Sequence, residues 1–125
     1  LTRAHPALKR TRDSTMTKYI IFDMHGMTQI DSSAAQVLEE ILTNYEDRRI
    51  FCFFIRVTQD PDVRRRLKKT GVRDRLVKEL KDLRYYDAAN VAGSDIKNLT
   101  ESKSLPYFGH IRDALKVIDF YETRV

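Results

Sequence analysis

The sequence predicts an α/β domain with a βαβ core: a parallel sheet with helices packed against it. Three observations carry that expectation. Two short segments contain continuous rather than alternating apolar runs, Tyr19–Phe22 and Ile50–Ile55, the pattern of parallel strands covered on both faces. Between them Ala34, Val37, Leu38, Ile41, Leu42 and Tyr45 recur at helical spacing. The joints on either side are short, so strand, helix and strand form one right-handed βαβ unit.

Residues 1–17 carry Arg3, Lys9, Arg10 and Arg12 without apolar periodicity and read as a basic linker. The start at Leu1 rather than Met reads as a piece cut from a longer chain. The domain proper is expected over residues 18–125. Its first strand is Tyr19–Met24, broken by Gly26. Asp31-Ser32-Ser33 opens the first helix, with Ser33 and Gln36 at capping-box spacing. Glu39, Glu40 and Glu46 fall on the face opposite the apolar one, and the helix stops near Asp47–Arg49.

Ile50–Val57 is the second strand. Asp60 is placed to cap the next helix with Pro61 at its first position, Val63 and Leu67 turn inward, and Gly71 ends it. Val72, Leu76, Leu80 and Leu83 mark a further amphipathic helix, either separate or a bent extension of the one before. Residues 84–105 mix Asn90, Gly93, Ser94, Asp95, Asn98, Ser102 and Ser104 with few large apolar side chains and read as a mobile loop. Leu105–Phe108 is a short third strand. Ile111, Ala114, Leu115, Ile118 and Tyr121 mark the last helix.

At 125 residues the chain has the length of one domain. A net charge of +5 favours anionic partners without choosing among them. The basic residues lack the aromatic interleaving of a single-strand binder, so nucleic acid is not expected. There is no run of about 18 apolar residues to span a bilayer, and the basic start does not resemble a signal peptide. The single cysteine, Cys52, excludes an internal disulfide, fits a reducing compartment and sits where packing is its natural role. His5, His25 and His110 lack metal-ligand spacing, and the four glycines form no phosphate-cradling loop. No nucleophile elbow is present. The reading is therefore a domain that is not an enzyme and holds no metal.

The informative constellation is Asp23 followed by Asp31-Ser32-Ser33. Asp23 ends a strand, and the Asp-Ser-Ser turn begins a helix. Open parallel sheets meet ligands and partners at the carboxyl ends of their strands, and a helix N-terminus favours a hydroxyl or phosphate there. The plainer reading is that Ser33 only caps the helix and Asp31 only holds the turn. Arg64, Arg65, Arg66, Lys68 and Lys69 form the densest basic cluster. They read either as a solvated helix face or as a contact for anionic lipid headgroups, worth about 1 kcal/mol per residue close to a membrane.

The stretch Ile20-Ile21-Phe22-Asp23-Met24-His25-Gly26-Met27-Thr28-Gln29-Ile30-Asp31-Ser32-Ser33-Ala34 resembles the signature of STAS domains. That family includes bacterial anti-sigma-factor antagonists and the cytoplasmic C-terminal domains of SulP-type sulfate and anion transporters. Arg64–Gly71 resembles its second helix, and Tyr107–Leu115 its final short strand and helix. The resemblance runs over about residues 18–121; Ala34 stands where the family carries glycine, and residues 85–104 have no counterpart. It implies a STAS-like sheet of the anti-sigma-antagonist type. The family's first strands are not recognisable in Leu1–Thr17, which predicts their absence and an open sheet edge for a second copy to cover.

The resemblance also implies function. The expected role is a non-enzymatic regulatory domain of a sulfate-type anion transporter at the cytoplasmic face of a membrane, working through protein contacts around Asp31–Ser33. Its partners would be the transmembrane domain of the same chain, regulatory proteins, anionic lipid headgroups and a second copy. The alternative is a free-standing phosphoswitch of the anti-sigma-antagonist type with Ser33 as phosphoacceptor, because the second serine of this turn is the phosphorylated one in those antagonists. A third reading, from the fold position and the family, is nucleotide binding near Asp23, Ser33 and Thr58. No other cofactor is expected. The partner-binding candidates are thus Asp23, Asp31, Ser32, Ser33 and Thr58.

Overall fold

The computed structural model describes residues 17–89 and 96–124. Within them the order is β1 (Tyr19–Asp23), α1 (Ser32–Asp47), β2 (Phe51–Ile55), α2 (Pro61–Lys69) and α3 (Val72–Asp82). There follow α4 (Tyr85–Ala89), β3 (Thr100–Ser102), β4 (Leu105–Phe108) and α5 (Ile111–Arg124). The expectations of a basic linker and of missing first strands concern residues 1–17, of which 1–16 lie outside the described residues.

The sheet runs β1-β2-β4-β3. β2 is parallel to β1, from Tyr19 opposite Phe51 to Asp23 opposite Ile55, and parallel to β4, with Phe54 opposite Tyr107. β3 joins antiparallel to β4. Side chains alternate across each strand, and here both faces are covered. Ile20, Phe22, Cys52, Phe54 and Tyr107 pack with Leu42, Leu67, Val72 and Leu76 in one core. Tyr19, Ile21, Phe53, Ile55 and Phe108 pack with Leu80, Leu83, Tyr85, Ala114 and Val117 in the other. The continuous apolar runs follow from this, since every residue of β2 meets a helix layer on one side or the other. Phe53 and Phe54 are 1% and 0% exposed, so each contributes about 2–3 kcal/mol by burial. α3 serves both cores, its first half through Val72 and Leu76 and its end through Leu80.

The punctuation of α2 and α3 is as the sequence predicts. The Asp60 carboxylate accepts from the Asp62 amide at 2.8 Å, Pro61 opens α2, and Gly71 takes φ 87° between the two helices, which are therefore separate. Cys52 is buried, and that burial pushes its thiol up to about 12.

Four expectations are corrected. The cap of α1 is Asp31, not Ser33: its Oδ1 accepts from the Ala34 amide at 2.7 Å. The helix therefore starts earlier, and its buried residues are Ala35 and Leu42, while Ala34 and Val37 face outward. Glu39 and Glu46 do not lie on a free face either, because α3 packs there and Arg75 joins both carboxylates. Residues 84–89 and 96–105 are not the irregular loop their polar composition suggests. Tyr85 is buried and its hydroxyl accepts from the amides of Leu99 and Thr100, both at 3.2 Å, which seats α4 and β3 against each other. Residues 90–95 lie outside the described residues. In α5 the buried residues are Ala114 and Val117, with Ile111 and Leu115 exposed.

The cap makes a simple expectation. Asp31→Ala should lower stability by about 1 kcal/mol, because it frees an orphan amide of the first turn. Ser33→Ala should change it by less than about 0.5 kcal/mol, as an exposed surface substitution does. Urea unfolding of the two variants checks this, and a larger loss in Ser33→Ala than in Asp31→Ala would return the cap to Ser33.

Candidate functional site

Because β1, β2 and β4 run parallel, their carboxyl ends share one edge of the sheet. Asp23 ends β1 there. Its carboxylate accepts from Arg56 Nε at 3.0 Å, from a second guanidinium nitrogen and from the His25 amide at 3.0 Å. The Arg56 guanidinium, helped by that amide, holds the Asp23 carboxyl below the usual carboxylate range. Both side chains are nearly half exposed, so the pair positions charge rather than stabilising the fold. Arg56 itself sits at φ 55°, a left-handed conformation tied to the sheet by its amide donating to the Phe108 carbonyl at 2.8 Å. A groove of about 370 Å³ opens beside the pair, walled by Ile21, Ile55, His110, Ile111 and Arg112.

The Asp31-Ser32-Ser33 turn divides its work. Asp31 caps α1. The Ser32 hydroxyl accepts from the Arg66 guanidinium, which links α1 to α2. The Ser33 side chain is exposed, and its hydroxyl has no hydrogen-bond partner among the described residues. It is therefore free to receive a modifying group at a helix N-terminus, where added negative charge is favoured. Thr58 lies in the β2–α2 loop, its hydroxyl accepting from the Asp60 amide at 3.2 Å. Neither Ser33 nor Thr58 lines the groove at Asp23.

The basic cluster is divided as well. Arg64 stands apart from the exposed members of the cluster. Its side chain is 16% exposed, and its guanidinium is spent on both oxygens of Glu101, on two backbone carbonyls and on the Tyr107 ring. Arg65 pairs with Asp62 at 2.8 Å, and Arg66 reaches Ser32. Lys68 and Lys69 are exposed.

Sequence reasoning missed Arg56, Glu101 and His110. Arg56 had a signal: it directly follows a buried strand, one position past Ile55, the register partner of Asp23. Glu101 had none, since it meets Arg64 across 37 positions of sequence.

The sheet and this edge define a class: small α/β domains built on a βαβ unit, with a polar helix-opening turn at the strand ends. Within that class the chain belongs to the STAS domain family, which matches residues 3–85. It is 40% identical over 118 residues to the "Putative sulfate transporter" of Saccharomyces cerevisiae, covering 94% of this chain and 15% of that protein. No solved structure matched the chain significantly. Among the described residues no helix is long and apolar enough to cross a membrane, and no group of three or more His, Cys, Asp or Glu could hold a metal ion.

Proposed function

We propose that this chain is a non-enzymatic regulatory domain of a sulfate-type anion transporter, placed at the cytoplasmic face of a membrane and acting through protein contacts around Asp31–Ser33. The observation that carries the reading is the match of 94% of this chain to only 15% of a protein named as a sulfate transporter. One part of a much longer transporter-like chain would meet its own transmembrane domain as a first partner. The free Ser33 hydroxyl supports a regulated surface. A phosphate on it would add charge to the exposed start of α1, where it makes or breaks contacts electrostatically. Arg65, Lys68 and Lys69 would supply weak attraction to anionic headgroups.

The test is sulfate uptake by the full-length parent protein carrying Ser33→Asp or Ser33→Ala, with its abundance measured in parallel. Ser33→Asp should change uptake several-fold at unchanged abundance, and Ser33→Ala should resist any modulation that acts through phosphorylation. Uptake indifferent to every substitution in the turn would sink the regulatory reading. A parent protein without membrane spans, bearing phosphate on Ser33, would instead establish the free-standing phosphoswitch.

A further inference from the structure

A second concavity, of about 540 Å³, shares no residue with the strand-end groove. Its α3 wall presents Arg73, Val77 and Lys81, four residues apart and hence in one stripe. Arg84 follows in the α3–α4 turn, Tyr86 comes from α4, and Lys103 from the β3–β4 turn. Asp74 and Asp87 also line it, both exposed.

Three independent features of this groove are left over from folding. The first is charge. Around the groove Lys81, Arg84 and Lys103 have no ion pair among the described residues, and Arg73 has one 3.4 Å contact with its neighbour Asp74. The second is unmet hydrogen bonding. Arg73 Nε and the Tyr86 hydroxyl are buried without a partner. Native proteins leave few such atoms, and since neither has accessible surface, a ligand in the groove meets them only after the Arg73 and Tyr86 side chains turn toward it.

The third is backbone conformation. Arg84 sits at φ 62°, directly after the end of α3, the position where glycine is the default. A strained non-glycine residue persists where the surrounding structure or a function retains it. Arg49 takes the same conformation after α1, at φ 61°, so what is particular here is that the residue so placed lines the groove. The remaining lining, Val77 and the Tyr86 ring, is apolar, and the volume lies in the range of small-molecule sites.

We infer that this groove binds a phosphate monoester carrying an apolar or aromatic group. Arg84, Lys81 and Lys103 neutralise the phosphate. Arg73 and the Tyr86 hydroxyl, turning toward the groove, donate hydrogen bonds to its oxygens, and Val77 and the Tyr86 ring contact the apolar body. A carboxylate would leave most of these cations unmet, whereas a dianion uses several, with arginine supplying a fork of donors. Inorganic sulfate or phosphate would leave the apolar lining empty.

Calorimetry on the 125-residue chain with phenyl phosphate, inorganic phosphate and inorganic sulfate tests this. Phenyl phosphate should bind more tightly than either ion. Arg84→Gly should weaken it about tenfold, the worth of one charge-assisted hydrogen bond, while Tm holds or rises because the left-handed strain is relieved. Lys103→Gln should weaken it comparably. Lys116→Gln, which removes the same charge from exposed α5, should leave it unchanged. No binding, binding indifferent to Arg84→Gly, an equal loss in Lys116→Gln, or inorganic ions binding as well as phenyl phosphate would each overturn the proposal. Co-sedimentation with phosphatidylcholine vesicles containing a phosphatidylinositol monophosphate separates the sources of the phosphate. Arg84-dependent capture of the domain identifies a lipid headgroup, and soluble binding without capture identifies a free organic phosphate.

Discussion

Glu79→Gln should raise the stability of the domain above neutral pH by about 2 kcal/mol and flatten its pH dependence below that. Glu79 lies on α3 and is 2% exposed. β4 pairs with β2 only at Phe54 and Ile55, so the Cys52 amide, on the same side of β2 as that of Arg56, meets no strand. The Glu79 carboxylate takes the strand's place, Oε1 accepting from the Cys52 amide at 2.6 Å. Its other oxygen is buried without a partner. Burial pushes the carboxyl up to about 7, against the Cys52 hydrogen bond and the charges of Arg75 and Lys78, and with the charge of Glu46. In the unfolded chain it returns to 4.5. Between those values the folded state holds the extra proton, so stability is full below 4.5 and falls as pH rises through 7. The shift corresponds to at most about 3 kcal/mol.

Glutamine keeps the carbonyl acceptor for Cys52 without the charge, although its amide nitrogen inherits the unpartnered position and takes back part of the gain. Glu79→Ala removes the acceptor altogether and opens a cavity, and should cost about 2 kcal/mol at low pH. The opposite slope belongs to Asp23 and Glu46, whose carboxyls are held below their usual range by hydrogen bonds from Arg56 and Lys78 respectively. Their stabilisation, slight for the half-exposed Asp23, is present above their ordinary values and fades only as pH falls through the lowered ones. Urea unfolding from acid to mildly alkaline pH separates the two effects. A wild-type stability that is flat from 4.5 to 7 would mean that Glu79 ionises normally.

What was legible in the sequence was local. The apolar runs of β1 and β2 declare burial on both faces because each residue of a covered strand has a helix above or below it. Pro61 and Gly71 declare the ends of α2 because one lacks an amide and the other tolerates φ 87°. The phase of α1 was not legible. Asp31 and Ser33 are both good caps, Ala34 and Ala35 are equally small, and the choice is made by Asp31 bonding the Ala34 amide. α4 and β3 were not legible because what holds them is the Tyr85 hydroxyl, a contact across 14 positions. The place of Asp23 at a strand end and of Asp31–Ser33 at a helix start could be read, and the side chains they meet could not. Arg56 and Arg66 arrive from 33 and 34 positions away.

Arg64 shows what such distant pairing does to a motif that looks like surface charge. Arg64→Ala should destabilise the domain by about 3 kcal/mol, and Arg64→Lys should recover less than half of that. The guanidinium meets Glu101 in a fork, at 2.7 and 2.8 Å, which fastens the start of α2 to β3. Its Nε donates to the Thr58 carbonyl at 2.7 Å and a terminal nitrogen to the Val57 carbonyl at 3.2 Å, closing the β2–α2 loop. The same group lies 5.0 Å from the centre of the Tyr107 ring, deep in the first core. A lysine has one charged nitrogen and cannot supply the fork, the loop carbonyls and the flat face together. A double-mutant cycle with Glu101→Gln should give a coupling of about 1–2 kcal/mol, the mark of residues in one network. The competing reading, Arg64 as a lipid contact, predicts the reverse: unchanged stability with weakened binding to anionic vesicles. Thermal unfolding and vesicle co-sedimentation of the same variant decide between them. The expected pair of results is a lower Tm with vesicle binding intact, leaving any membrane contact to Lys68, Lys69 and Arg65.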